Sequence, residues 1–173
     1  MTSPVRVGVI GCGEIAQLMH LPFLDELDDF DITAVCDLSP KLLASTQDRY
    51  RVPHTYTDGA ELIGDPDVDA VIVCTYDHAH LAVAALQADK HLLIEKPLAF
   101  TTAEASRIAQ AANNTTAVSM IGYMKLYDPG FERAMQLVAD ADTPRARTVH
   151  DFAPLLIARL RYVRTSRAVG GPS

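Results

Sequence analysis

The sequence predicts an α/β fold in which helices cover both faces of a parallel sheet. Short apolar runs rich in β-branched residues alternate with segments of helical pattern, and glycine, proline and aspartate separate them. The runs that indicate strands cover residues 5–10, 32–36, 52–56, 68–74, 91–94, 117–121 and 145–152. The segments that indicate helices cover residues 14–27, 41–50, 58–62, 79–88, 103–112 and 129–139. Strands that are joined through helices pair in parallel, so we expect a doubly wound, three-layer architecture.

The first strand leads directly into a glycine-rich turn. Gly11 suits a turn that needs an unusual φ, Gly13 lets a pyrophosphate approach the backbone, and Ala16 completes the pattern Gly-x-Gly-x-x-Ala. The helix that follows points its free N–H groups toward the same place, and Pro22 is expected to bend it. A plain strand-to-helix turn is the alternative interpretation. In its setting, the motif predicts a Rossmann-type dinucleotide site.

An acidic residue follows the second strand. Asp37 stands where a carboxylate accepts hydrogen bonds from the ribose hydroxyls of a dinucleotide and repels a 2′-phosphate. Leu38 and Ser39 come next, so no arginine is there to hold a 2′-phosphate. The alternative is that Asp37 only caps the turn before the helix that begins after Pro40. The order strand, glycine turn, helix, strand and acid favours NAD rather than NADP as the cofactor.

Caps delimit the helices that follow. Pro40 suits the first turn of the second helix. Either Thr57 or Asp58 is expected to cap the short third helix, and either Thr101 or Thr102 the helix over residues 103–112.

Two later loops carry candidate chemistry, because ligands of such sheets bind at the carboxyl ends of the strands. His78 and His80 follow the fourth strand, but a third metal ligand is not near, so we predict no metal and expect one histidine to pack at the helix start. Glu95, Lys96 and Pro97 follow the fifth strand. Pro97 stops the strand and presents Lys96 at the crevice, where it can act as acid or base for a substrate hydroxyl. A merely solvated lysine is the alternative.

The bulk properties exclude several classes of protein. The chain has 173 residues and a formal net charge of −7, so we expect no nucleic-acid or membrane partner. No apolar run reaches membrane-spanning length, and we expect no signal peptide before the first strand. Three cysteines without metal-ligand spacing indicate reduced thiols in a cytoplasmic protein. The basic cluster of the tail is interpreted as a solvated helix face or a frayed end: Arg159, Arg161, Arg164 and Arg167.

These motifs together resemble the Gfo/Idh/MocA oxidoreductases, the relatives of glucose–fructose oxidoreductase and inositol dehydrogenase. The matching stretches lie within residues 5–152 and comprise 7–16, Asp37, 74–80, 95–98 and 122–125. The resemblance implies oxidation or reduction of a hydroxyl carbon in a sugar, polyol or related small compound with NAD(P). It implies Lys96 as the catalytic residue, and Tyr123 and Lys125 on the substrate side. The cofactor-binding residues it implies, together with the motifs, are Gly11, Gly13, Glu14, Ile15, Ala16, Asp37, Thr75, His80, Glu95 and Lys96.

The sequence also departs from the family pattern. Tyr76 stands where a proline is usual, and Asp89 where a glycine is common. Family members continue into a second α/β domain that carries an Asp and a His for proton transfer, and we expect that domain to be largely missing. The expected domains are a dinucleotide-binding Rossmann domain over residues 1–143 and a truncated start of the second domain, or a tail, over 144–173. His150 and Asp151 match only the first strand of that domain and receive no catalytic role.

Three interpretations stay open at this point. The chain can be an NAD-dependent dehydrogenase that works with whatever supplies the missing half, a nucleotide-binding module without turnover, or a remnant that binds nothing well. A strand edge near residue 150 is free to pair, so either a second copy, which would give a homo-oligomer, or a separate protein can close the site.

Overall fold

The computed structural model of the chain describes residues 3–139, 147–153 and 156–162. The chain divides into two compact units, Met1–Tyr123 and Met124–Ser173.

The first unit contains one six-stranded parallel sheet in the order β3-β2-β1-β4-β5-β6. Its strands are β1 (Val5–Ile10), β2 (Phe30–Cys36), β3 (His54–Tyr56), β4 (Ala70–Val73), β5 (His91–Ile94) and β6 (Ser119–Ile121). Its helices are a π-helical segment (Ala16–His20) that continues into α1 (Leu21–Glu26), then α2 (Pro40–Tyr50), α3 (Gly59–Gly64), α4 (Ala79–Gln87) and α5 (Thr102–Asn113). The strand order reverses direction between β1 and β4, which confirms the predicted Rossmann-type doubly wound sheet.

The sheet separates two apolar cores, because successive side chains of a strand point to opposite faces. In β1, Val7 and Val9 belong to the core that includes residues of α1 and α2. Ile10 belongs to the other core, with residues of α3, α4 and α5. On that second face a Cβ at Gly8 would lie 2.6 Å from Leu62 Cδ2, so glycine at this position lets α3 lie close to the strand.

The helix ends resolve the alternatives that the sequence left open. Asp58 caps α3 by accepting a hydrogen bond from the N–H of Ala60, and Thr101 caps α5. Thr101 and Glu104 form a reciprocal capping box, in which the Thr101 hydroxyl accepts from the Glu104 N–H at 3.2 Å and the Glu104 carboxylate accepts from the Thr101 N–H at 3.0 Å. Thr102 is therefore the first residue of the helix rather than its cap.

Several boundaries differ from the predicted ones. The third, fourth and sixth strands each begin two residues later than predicted, at His54, Ala70 and Ser119. Pro22 lies in the first turn of α1, and the irregular part of this helix is the π-helical segment before it. A proline has no N–H to donate, so the turn that leads into it lacks one regular α-helical hydrogen bond.

The second unit begins with a 3₁₀ turn, Met124–Tyr127, and the helix α6, Pro129–Ala139. Strands β7 (Arg147–Ala153) and β8 (Leu156–Tyr162) form an antiparallel pair. Arg159 and Arg161 therefore lie in a strand, which corrects the prediction of a helix face or frayed end for this part of the tail. Residues 145, 164 and 167, which entered the sequence predictions, lie outside the described residues. Within the described part of the chain, none of the helices has the length and apolarity needed to cross a membrane.

Acid should weaken one contact near the amino ends of β1 and β4. Arg6 Nε and Nη2 donate to the two carboxylate oxygens of Asp69 at 2.9 and 2.7 Å, and this bonding lowers the pKa of Asp69 to about 2. A carboxylate with a lowered pKa stabilises the fold above its unfolded pKa of about 3.9 and loses that contribution as the pH falls toward the folded value. We expect this carboxylate to account for a loss of about 1 kcal/mol in the free energy of unfolding between about pH 4 and pH 2, measured by urea titration.

The Asp69→Asn variant should lose less stability than the native chain over this pH range. Asp67→Asn is the matched control, because Asp67 is exposed and contacts Arg6 through a single 2.9 Å ion pair. An Asp69→Asn variant as acid-sensitive as the native chain would contradict the assignment.

Candidate functional site

The candidate site lies where the carboxyl ends of β1, β2 and β4 meet. A cavity of about 650 Å³ opens at this edge. The residues that line it are Ile10, Gly11, Cys36, Asp37, Leu38, Thr57, Asp58, Gly59, Thr75, Tyr76, Asp77, His80 and Leu81. Gly11, Asp37, Thr75 and His80, which the sequence analysis named as cofactor-binding residues, therefore come together at one cavity.

Gly11 adopts a conformation that other residues avoid, with φ +92°. A Cβ on this residue would lie 3.0 Å from Thr75 Cγ2 and 3.1 Å from the carbonyl carbon of Cys74 and the backbone nitrogen of Thr75. The Gly11 N–H donates to the carbonyl of Cys36 at 2.8 Å. The fold itself thus requires glycine at this position, because the turn passes directly against the loop after β4.

Gly13 differs from Gly11 because packing does not require a glycine there. Within the part of the chain that the structure describes, a Cβ on Gly13 would meet nothing within 4 Å, and its φ is not in the positive range. The residue is exposed and its carbonyl accepts the N–H of Gln17 at the start of the helix. Glu14 and Ile15 follow in the first helical turn, Glu14 exposed and Ile15 half-buried. Gly13 directly precedes the first helical residue, and the free N–H groups at the start of a helix attract anions.

Ala16, in contrast to the exposed Gly13, is fully buried. It packs in the core that also contains Val9 and Leu21. A small side chain at this position lets the helix approach the sheet closely, which is the role of the third small residue in the glycine motif.

Asp37 connects the glycine turn to the loop after β2. One carboxylate oxygen accepts the N–H of Cys12 at 2.9 Å, and the other accepts the N–H of Ser39 at 2.8 Å. A carboxylate has about four acceptor positions, so further donors such as ribose hydroxyls can bind as well. Asp37 therefore supports the turn and keeps acceptor capacity at the cavity.

The residues that follow β4 lie in different environments, with Thr75 and His78 in the loop and His80 in the first turn of α4. Thr75 is half-buried against Gly11, whereas His80 is exposed, with its Nδ1 3.8 Å from an oxygen of Asp77. His78 is buried at the start of α4, where its ring nitrogens lie 2.7 Å from the carbonyl oxygens of Thr75 and Pro97. Its ring thus joins the loop after β4 to the loop after β5.

Lys96 and Glu95 point to different surroundings, although they are neighbours in the chain. Lys96 is exposed, and within the described residues no acidic side chain pairs with its ammonium group. Glu95 is largely buried, and its Oε1 lies 2.8 Å from Nε2 of His20. The Glu95 carboxylate is thus held by a histidine side chain, so the position predicted to contact cofactor carries an internal contact.

His20 is a residue that the sequence analysis did not select. It lies four residues after Ala16 and four before Leu24, which are both buried, so it falls on the inward face of this helix. A polar side chain on an inward face needs a hydrogen-bond partner, and this signal could have identified it. The partner, Glu95, is 75 positions away and could not have been identified from spacing.

The two predicted substrate-side residues lie in different units. Tyr123 ends the first unit, two residues after β6, and its side chain is 44 % exposed. Gly122 before it donates its N–H to the carbonyl of Ile94 at 2.8 Å, which fixes this segment beside the end of β5. Lys125 belongs to the 3₁₀ turn of the second unit.

The three cysteines near the site are free, and their thiols are poorly acidic. Burial raises the pKa of Cys12 to about 11 and the pKa of Cys36 and Cys74 to about 12. Because the thiolate is the reactive form, these side chains act as small apolar groups rather than nucleophiles.

Residues 5–123 match the protein family described as "Oxidoreductase family, NAD-binding Rossmann fold" (GFO_IDH_MocA). A myo-inositol 2-dehydrogenase of Thermotoga maritima is 31% identical over 171 residues, which are 95% of this chain and 50% of that protein. An uncharacterized oxidoreductase of Bacillus subtilis, YrbE, is 29% identical over 170 residues, 96% of this chain and 49% of that protein.

Among solved structures, the 3-ketoreductase KijD10 of Actinomadura kijaniata in complex with NADP superposes with a TM-score of 0.70 and 30% identity. The match covers 83% of this chain and 46% of KijD10. The chain therefore spans about half the length of the relatives that it matches.

Proposed function

Because this chain belongs to the Gfo/Idh/MocA oxidoreductases, a family with an NAD-binding Rossmann fold, we propose that it supplies the cofactor-binding half of an NAD-dependent dehydrogenase. The substrate would be a small polyol or sugar. Inositol dehydrogenases and a 3-ketoreductase among the similar proteins support this substrate class.

The open space beside Gly13 is the observation that carries the proposal. Among the described residues, neither the backbone conformation nor the packing excludes a Cβ there, so the place is open to the approach of a ligand. The cofactor pyrophosphate fits this place, because the free N–H groups of the helix start stabilise negative charge. The backbone of the first helical turn, at Glu14, Ile15 and Ala16, would contribute to binding the cofactor.

Asp37 supports a preference for NAD over NADP. Its carboxylate would accept hydrogen bonds from the adenosine ribose hydroxyls, and a 2′-phosphate would meet its negative charge. Thr75 and His80 line the same cavity and would bind the cofactor on the β4 side. The NADP complex of KijD10 shows that a similar protein binds the phosphorylated cofactor, so the preference needs its own test.

Lys96 would carry the acid–base step at the nicotinamide end. Bound NAD would supply the hydride acceptor for the hydroxyl carbon of the substrate. Lys96 would act as the general base that accepts the proton of that hydroxyl, so that the C–OH group becomes a carbonyl. Tyr123 would orient the substrate, and Glu95 would hold the main chain of the Lys96 loop. Lys125, in the second unit, stays a predicted substrate-side residue.

The proposal assigns two regions to two tasks. Residues 1–143 would form the dinucleotide-binding domain, and residues 144–173 would be the truncated start of a second domain or a tail. Self-association through β7 stays a prediction. One edge of this strand pairs with β8, so a second copy would have to pair with the other edge.

Binding without turnover is the result we expect for the 173-residue chain by itself. Hydride transfer requires the substrate carbon to be held over the nicotinamide, and this positioning supplies a large share of the rate. Lys96 and Tyr123 can form only one side of the site that would hold the substrate in this position. Calorimetry should detect NADH binding, whereas a screen of polyols and sugars with NAD should produce NADH no faster than the Lys96→Ala variant.

The two measurements separate the interpretations. Failure to bind NADH would refute the proposed function, whereas NADH binding without turnover matches a cofactor-binding half. Robust turnover that Lys96→Ala abolishes would show that the described residues already complete the active site.

A further inference from the structure

The His20–Glu95 pair joins segments that are far apart in the sequence. The side chains are only 17 and 13 % exposed, and His20 Nε2 lies 2.8 Å from Glu95 Oε1. The second carboxylate oxygen, Oε2, accepts the N–H of Lys96 at 3.2 Å. One carboxylate thus connects the helix after the glycine turn to the backbone of the residue proposed to transfer the proton.

The same carboxylate also packs against the end of β6. A Cβ at Gly122 would lie 3.2–3.3 Å from the carboxylate atoms of Glu95, closer than ordinary van der Waals contact. Gly122 directly precedes Tyr123, a proposed substrate-side residue. Glu95 therefore contacts three segments around the proposed nicotinamide end: the helix that carries His20, the Lys96 loop and the end of β6.

The irregular backbone at His20 supports a functional role for the contact between His20 and Glu95. The segment Ala16–His20 is π-helical, and His20 is its last residue. Short π-helical segments within α-helices are rare and occur frequently at functional sites. Here the last residue of the wide turn is the one that contacts Glu95.

We propose that His20 and Glu95 are positioning residues, which hold the Lys96 main chain and thereby set the nicotinamide end of the site. Neither side chain needs to touch the cofactor. The inference rests on the proposed function, because it assumes that the Lys96 loop faces the nicotinamide. ADP-ribose lacks the nicotinamide. A variant in which the nicotinamide end is disturbed should therefore lose affinity for NADH and keep its affinity for ADP-ribose.

The experiment compares the affinities of NADH and ADP-ribose by calorimetry for the native chain and the His20→Ala variant. We expect NADH to bind about tenfold more weakly to the variant, the usual effect of losing a hydrogen bond to a charged group, and ADP-ribose to change less than about twofold. Retained ADP-ribose binding also reports that the variant is folded.

Two amides of different length test whether reach to Glu95 is what matters. His20→Gln places an N–H donor at a similar distance from the backbone and should restore most of the NADH affinity. His20→Asn is too short and should behave like His20→Ala. His91→Ala is the matched control, because His91 lies at the amino end of the same strand that leads to Glu95, and it should leave both affinities unchanged.

The outcomes distinguish this inference from the proposed function. A native chain that binds neither NADH nor ADP-ribose would overturn both. Binding of both by the native chain, with equal losses or no loss for His20→Ala and His20→Asn, would overturn the inference alone and assign the pair a purely structural role. A loss confined to NADH, with rescue by His20→Gln, would establish the positioning role.

Discussion

Replacing Gly13 with alanine should abolish most of the NADH affinity while leaving the fold as stable as before. Apart from its chain neighbours, no described residue has an atom within 4 Å of the added methyl group, so the free energy of unfolding should change by less than about 0.5 kcal/mol. The methyl group would occupy the space in which we place the pyrophosphate, and the affinity for NADH should fall by about tenfold or more. Calorimetry and urea denaturation measure the two quantities on the same preparation.

The matched variant is Gly11→Ala, which should show the opposite order of effects. Its methyl group would meet the backbone of Cys74 and Thr75 at 3.1 Å, on a residue with φ +92°. Such a conformation costs of order 1–3 kcal/mol for a residue with a Cβ. The main effect of Gly11→Ala should therefore be a lower free energy of unfolding. If Gly13→Ala kept full NADH affinity, the pyrophosphate would have to bind elsewhere.

The Asp37→Ala variant should lose the preference for NAD over NADP. A charged contact to the ribose hydroxyls contributes about 1.5–3 kcal/mol, which corresponds to about 10- to 150-fold in the ratio of the two dissociation constants. The ratio is the informative quantity, because Asp37 also accepts the N–H groups of Cys12 and Ser39. Its loss will weaken the turn for both cofactors, and this shared effect cancels in the ratio.

Asp77→Ala is the control for charge alone. Asp77 lines the same cavity with an exposed carboxylate, and its removal should change the ratio by less than about threefold. A native chain that binds NADP as tightly as NAD would refute the role assigned to Asp37. An Asp77→Ala variant with the larger change would transfer that role to Asp77.

Much of the fold could be predicted because it depends on local pattern. Strand β1, the glycine turn and the following helix are adjacent in the chain, so their order and the roles of Gly11 and Ala16 follow from residue type and spacing. The positions of Asp37 and Lys96 at one edge of the sheet also follow, because parallel strands place all their carboxyl ends together. The residues proposed to bind cofactor follow from the same argument and await measurement.

Helix and strand ends were less predictable, because several residues compete for each role. Thr101 and Thr102 have the same capping chemistry, and only the reciprocal bond with Glu104 decides between them. The tail arginines were assigned from charge alone, whereas pairing with β7 places Arg159 and Arg161 in a strand.

The sequence by itself determined the parallel α/β sheet, the glycine turn and the edge at which Asp37 and Lys96 lie. Only the tertiary structure decided that Asp37 also holds the N–H of Cys12, that Thr75 leaves no space for a side chain at residue 11, and that His20 meets Glu95. The physical reason is distance along the chain. Local periodicity specifies which face of a helix or strand a residue occupies, whereas partners 25 or 75 positions apart are brought together only when the layers pack.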